Sequence, residues 1–133
     1  MTYMKTISLL ILAITITGCI PFGPRKVNWG KEWRKWNPEL KQLASKIEGA
    51  PDSYKAGNHD FPPNFKYPFD QGFHINKNDG TLTITFYLDR GVLHHFSAFI
   101  YTTSDSKISE LNSEVKNGGY NFNLGDNWYI INH

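Results

Sequence analysis

The sequence predicts a small α+β domain, in which an N-terminal helix packs on an antiparallel β-meander and is followed by a second helix and a short final strand. Two patterns carry this prediction. Between Trp29 and Ile47 the apolar residues recur at steps of four and three, the spacing of one helical face. From residue 72 to 103, apolar and polar residues instead alternate between turn-forming residues, as in half-buried strands. Helices and strands in separate runs are typical of the α+β class.

An Asn-Pro-Glu sequence at residues 37–39 interrupts the helical stripe, and it suits an N-cap, a first helical position and an acidic first turn. We therefore predict a helix from 38 to about 48, with one or two helical turns over 29–36 before it. Because the residue before a proline is biased away from helix, we expect the helical segment over 29–48 to be kinked or broken at Asn37. Residues 49–71, rich in proline, then form a long loop pinned by aromatic side chains. The stripe itself consists of Trp29, Trp33, Trp36, Leu40, Leu43 and Ile47.

Three strands are predicted at 72–77, 81–88 and 92–103. The segments between them, Asn78-Asp79-Gly80 and Asp89-Arg90-Gly91, have the chemistry of hairpin turns, so the strands form an antiparallel meander. In the middle strand, apolar residues alternate with threonines and a tyrosine, which makes one face core and the other polar. We expect the first helix to cover the apolar face.

The second helix is predicted to begin at Ser104 or Asp105, either of which can cap it, and to run to about Lys116 before Gly118-Gly119 stops it. The chain then continues through residues 120–124 and a Gly-Asp-Asn turn. Residues 128–131 form the short final strand.

The N-terminus has the organisation of a bacterial signal peptide. Lys5 supplies a positive charge, and Ile7 to Ile16 form an apolar run of about ten residues, half of what a transmembrane helix needs. The run ends in Ile16-Thr17-Gly18-Cys19, which resembles the lipobox of bacterial lipoproteins. The resemblance covers the leader and Cys19 and does not extend to the rest of the chain.

This resemblance divides the chain into a signal peptide (1–18), a lipidated cysteine with its tether (19–28) and one α+β domain (29–133). It implies that Cys19 is acylated, that the leader is cleaved before it, and that the acyl chains anchor the protein to a membrane of the cell envelope. Ile20 after the cysteine implies the outer membrane in a Gram-negative cell; a Gram-positive cell would carry the protein on the outer face of its membrane. The alternative is an uncleaved anchor or a buried N-terminal helix.

Composition argues against several functional classes. The formal net charge is +2, far from the basic balance of nucleic-acid-binding proteins, so we predict no nucleic-acid partner. Cys19 is the one cysteine, so neither an internal disulfide nor a cysteine-based zinc site can form. We expect no cofactor and no metal.

The histidines are the residues most suited to acid/base catalysis, but no sequence frame supports such a role. His94 and His95 are neighbours in a predicted strand, so their side chains point to opposite faces. No serine stands in a Gly-x-Ser-x-Gly context. A small hydrolase that uses His94 or His95 is therefore an alternative to the main hypothesis.

Trp29, Trp33 and Trp36 begin ten residues after Cys19, with basic residues between them. Such a segment suits a membrane interface or a binding surface. Alternatively the rings pack on the sheet, and the sequence favours this because the stripe continues into the aliphatic half of the helix.

The main hypothesis is a membrane-anchored, non-catalytic lipoprotein that binds an envelope protein or another macromolecule. An immunity or exclusion lipoprotein, which acts against a toxin or a phage, is an alternative from a different class. The sequence leaves the oligomeric state open.

Overall fold

The computed structural model describes residues 27–67, 72–89 and 96–133. They form a small α+β domain with an N-terminal helix, a six-stranded antiparallel sheet and a second helix, which confirms the predicted class. The strands lie side by side in the order β1-β2-β3-β4-β6-β5. The elements are α1 (Trp29–Gly49), β1 (Gly57–His59), β2 (Phe73–Asn78), β3 (Thr81–Asp89), β4 (Ser97–Thr102), α2 (Asp105–Lys116), β5 (Phe122–Gly125) and β6 (Trp128–Asn132).

Helix α1 is continuous from Trp29 to Gly49, so the predicted helix start at 38, with Asn37 as its N-cap, was wrong and the helix is not broken there. The N-cap is Asn28, whose side chain accepts a hydrogen bond from the Lys31 amide at 3.0 Å. Pro38 lies inside the helix and cannot donate to the carbonyl of Arg34. Both residues are exposed, so water can satisfy that carbonyl while the buried stripe continues on either side.

The main core lies between α1 and one face of the sheet. Along β3, Leu82, Ile84, Phe86 and Leu88 are buried and the residues between them are half-buried, which confirms the predicted alternation. The helix covers the apolar face as expected. Phe73 and Ile75 of β2, Phe99 of β4, and Trp128 and Ile130 of β6 complete the layer beneath it.

Helix α2 covers part of the opposite face. Its Leu111, with Val115 beside it, packs on a second apolar cluster from β4 and β6 that includes Ile100 and Tyr129. The helix begins at Asp105 after the N-cap Ser104, whose hydroxyl accepts from the Lys107 amide at 3.3 Å, and it ends at Lys116 as predicted. A helix therefore packs on each face of the sheet. α2 covers only the part of its face that is formed by β4, β6 and β5.

Two strands were not predicted. β1 lies in the segment expected to be a long loop, and it pairs with Phe73–Ile75 at the edge of the sheet. β5 pairs with β6, so the final strand lies inside the sheet and not at its edge. The predicted strand over 92–103 is observed as Ser97–Thr102, and its first residues fall outside the described part of the chain.

Gly72 holds β1 close to the start of β2. Its φ is +67°, and a Cβ there would lie 2.3 Å from the His59 carbonyl oxygen. Gly80 in the β2-β3 turn has a similar φ of +77° with nothing within 4 Å, so it is a matched control.

We expect Gly80→Ala to cost about 1–2 kcal/mol of unfolding free energy from backbone strain alone. Gly72→Ala should cost about 1–3 kcal/mol more, because the added methyl must displace the β1 backbone. Urea unfolding of both variants measures the difference. Equal losses would mean that the His59 carbonyl is not held against Gly72.

Candidate functional site

Several residues singled out in the sequence lie outside the described residues. These are Cys19, the lipidation candidate, and His94 and His95, the histidines of the hydrolase alternative. Acylation of Cys19 and a catalytic role for either histidine therefore stay predictions.

The three tryptophans of α1 pack on the sheet. Trp33 is 9% and Trp36 8% exposed, whereas Trp29 is half-buried. The Trp33 ring lies 5.3 Å from that of Phe99 and 5.1 Å from that of Trp128, measured between centroids. Rings enclosed in this way have little surface left for a membrane interface. No helix in the described part of the chain is long and apolar enough to cross a bilayer.

Trp36 also belongs to a polar contact at the edge of the core. Its indole N–H donates to a Glu32 carboxylate oxygen at 3.2 Å, and its ring meets Tyr67 edge-on at 5.5 Å. Burial, and to a smaller extent the charge of Glu32, raises the pKa of Tyr67. A tyrosine that stays neutral here suits a structural contact and not acid/base chemistry.

On the side of the sheet opposite α1, no helix in the described part of the chain covers β1, β2 and β3. We call this surface the polar face and define it as Asn58, His74, Asn76, Thr83 and Thr85. These residues alternate with core residues along β1, β2 and β3, so they point away from α1. Asn58 pairs with His74, which pairs with Thr85, and Asn76 pairs with Thr83. The five side chains therefore form two adjacent rows across three strands.

Part of the polar face is fixed by hydrogen bonds. The His74 Nδ1 atom lies 2.9 Å from the Asn58 side-chain oxygen. The Thr83 and Thr102 hydroxyl oxygens lie 2.7 Å apart, and that of Thr102 also accepts from the Ser104 amide at 3.1 Å. This chain of contacts connects the polar face to the N-terminus of α2.

Two members of the polar face keep their hydrogen-bonding capacity. Within the described residues, neither the Asn76 amide nor the Thr85 hydroxyl bonds to another side chain or to the backbone. Asn76 is exposed and Thr85 is half-buried. Both can therefore exchange water for a binding partner without first breaking an internal hydrogen bond.

A cleft of about 230 Å³ on the α1 side is lined by charged groups and an aromatic floor. The Tyr101 hydroxyl donates to a Glu48 carboxylate oxygen, and Lys41 Nζ lies 3.6 Å from an Asp126 carboxylate oxygen. The second pair is exposed and contributes little to stability. These two contacts join the C-terminal half of α1 to β4 and to the β5-β6 turn.

Burial, then the hydrogen bond to Glu48 and the Glu48 charge, raise the pKa of Tyr101 to about 12. The phenol therefore stays protonated at neutral pH and is a poor nucleophile or base. Among the described residues no group of three His, Cys, Asp or Glu side chains could hold a metal ion.

The polar side of β3 was predicted from the sequence, but most of the polar face was not. The contribution of Asn58 depends on β1, which was not predicted, and no role was predicted for His74. The signal available was the alternation in β2, where His74 and Asn76 stand between buried residues.

The chain matches no protein-family model, no curated protein and no solved structure.

The raised pKa of Tyr101 predicts a pH dependence. Its stabilising effect is fully present below the ordinary tyrosine pKa of about 10 and is lost as the pH rises through its pKa of about 12, because the unfolded chain ionises first. The stability advantage of the natural protein over Tyr101→Phe should therefore shrink between about pH 9 and about pH 11.

Urea unfolding at the two pH values measures this advantage directly. Glu48→Gln removes the carboxylate but keeps Tyr101, so its loss of stability with pH should be smaller than that of the natural protein. An advantage that does not change with pH would mean that folding does not raise the pKa of Tyr101, and an equal loss in Glu48→Gln would mean that Glu48 does not contribute to the raised pKa.

Proposed function

We propose that the chain is a lipid-anchored envelope protein whose domain binds a macromolecule through the polar face. The observation that carries the proposal is the polar face itself, where Asn76 and Thr85 keep free hydrogen-bonding groups within the described residues. The lipobox at Ile16–Cys19 supports the anchoring part. The immunity or exclusion role is a narrower form of the same proposal, in which the macromolecule comes from a toxin or a phage.

The shape of the polar face favours a macromolecule over a small ligand. Small-molecule sites are concave and enclose most of their ligand, whereas this surface consists of two rows of short side chains on a sheet. Short polar residues on a rigid sheet lose little side-chain entropy when a partner covers them. A broad, hydrogen-bonded contact suits that arrangement.

The short tether also supports a role at the membrane. α1 begins at Trp29, ten residues after Cys19, and ten extended residues span at most about 35 Å. An acylated Cys19 would keep the domain within that distance of the bilayer. Partners in the same membrane or next to it would meet the domain at a high effective concentration.

The anchoring is tested by Cys19→Ala in the native host. We expect the variant to lack acyl chains and to retain the leader, because both steps depend on the cysteine thiol. Intact-mass measurement on the membrane fraction reads out both changes. A natural protein whose mass shows no acyl chains would contradict the anchoring.

The binding surface is tested by Asn76→Arg, which places a large charged side chain in the polar face. We expect it to reduce recovery of the partner by at least about tenfold in cross-linking and affinity recovery from intact cells, since one blocked interface residue can cost a few kcal/mol. Ser109→Arg is the matched control, because Ser109 is also exposed but lies on α2. Equal recovery from both variants would mean that the partner binds elsewhere.

A further inference from the structure

The exposed side of α1 carries a strong positive charge. Lys31, Arg34, Lys35, Lys41 and Lys46 are all exposed, while the helix buries its aromatic and aliphatic residues on the sheet. At about 100° per residue, the five cations fall within an arc of about 140° opposite the buried stripe. We call this arc the basic face.

The three glutamates of α1 do not neutralise the basic face, because they lie at its borders and none forms an ion pair with its cations within the described residues. Glu32 accepts from the Trp36 indole, and Glu48 accepts from the Tyr101 hydroxyl. Glu39 is half-buried, with its Oε2 atom enclosed. All three carboxylates therefore stand to the sides of the cations.

Most of the five cations also lack a carboxylate partner. Within the described residues, Lys41 is the one that has an oxygen of a carboxylate within 4 Å, at 3.6 Å in Asp126. Lys35 Nζ lies 4.9 Å from the centre of the Trp36 ring, a contact that leaves its charge uncompensated. The charge of the basic face is thus available to an external anionic surface.

The position of α1 in the chain indicates which surface this is. The helix starts ten residues after the predicted lipidation site, and the intervening sequence adds Arg25 and Lys26. Bacterial membranes contain anionic lipids, and each Lys or Arg near an anionic bilayer strengthens binding about fivefold. A short tether brings the bilayer within reach of the basic face without any further partner.

We propose that the basic face of α1 lies against the anionic headgroups of the membrane that holds the lipid anchor. The proposal rests on the anchoring proposed above. Contact through this face is electrostatic, because Trp33 and Trp36 remain in the core. The polar face, on the other side of the sheet, then points away from the bilayer and towards partners.

The test uses the full acylated chain in vesicles with about 30% phosphatidylglycerol, or in vesicles of phosphatidylcholine alone. Cys19 is consumed by acylation, so a cysteine introduced at Ser45 is unique. Ser45 is exposed between Lys41 and Lys46, and Ser109 on α2 is the matched control position. A fluorophore at each position is quenched by nitroxide groups attached to lipid headgroups.

We expect the label at position 45 to be quenched at least about threefold more than the label at 109, in anionic vesicles and not in neutral ones. The difference should disappear in about 1 M NaCl, where the Debye length is about 3 Å. Equal quenching at position 45 in both kinds of vesicle would overturn the proposal.

A charge-matched pair of triple variants tests whether the quenching depends on the cations of α1. Lys31→Gln, Lys35→Gln and Lys46→Gln together should abolish the extra quenching at position 45. Lys55→Gln, Lys107→Gln and Lys116→Gln remove the same charge from other elements and should leave the quenching intact. Retained quenching in the α1 triple variant would also overturn the proposal.

The intact mass of each sample separates this inference from the anchoring beneath it. A mass without acyl chains refutes the anchoring. A fully acylated protein whose label at position 45 is not quenched in anionic vesicles refutes the orientation alone.

Discussion

The packing of Trp33 between Phe99 and Trp128 fixes α1 on the sheet, and the orientation of every other helix residue follows from it. Pro38 in the middle of a helix costs about 3 kcal/mol. A buried large apolar side chain contributes about 1.5–3 kcal/mol, and both Trp33 and Trp36 lie upstream of the proline. A break at Pro38 would put that burial at risk, so the continuous helix is the more stable arrangement.

Once the buried side of α1 is fixed, its other residues lie either at the border of the core or in solvent. The glutamates at the borders meet the indole of Trp36 and the hydroxyl of Tyr101, and the cations are left on the outside. The opposite face of the sheet likewise has an apolar part and a polar part. α2 packs on the apolar residues of β4 and β6, and the polar residues of β1, β2 and β3 remain beside it.

The elements that the sequence predicts well are those whose signals are local. α2 is marked by the Ser104 cap and by a face containing Leu111 and Val115, and β3 by strict alternation. β1 has three residues and no alternation, and its existence depends on hydrogen bonds to β2, more than a dozen residues later. The position of β6 between β4 and β5 is likewise a long-range choice that no local pattern contains.

The candidate surfaces likewise depend partly on local sequence and partly on long-range contacts. The sequence shows that the cations of α1 lie off the apolar stripe. That they carry an excess of positive charge becomes apparent only from the structure, in which Glu32 and Glu48 bond to Trp36 and Tyr101. The spacing of the tryptophans is compatible with a membrane interface and with packing on the sheet, and the sequence favoured packing because the stripe continues into the aliphatic half of the helix. The two uses are separated by the contacts of Trp33 with Phe99 and Trp128, which come from strands that follow it by more than sixty residues.

A membrane contact through the tryptophans would compete with folding. Moving Trp33 and Trp36 into a lipid interface would remove their ring contacts and expose the apolar layer of the sheet, including Phe86 and Phe99. A contact through the cations leaves that core intact and weakens with salt, as interactions between exposed charges do. If the domain is anchored as proposed, contact through the cations of α1 is therefore compatible with the fold, whereas insertion of Trp33 and Trp36 into the bilayer is not.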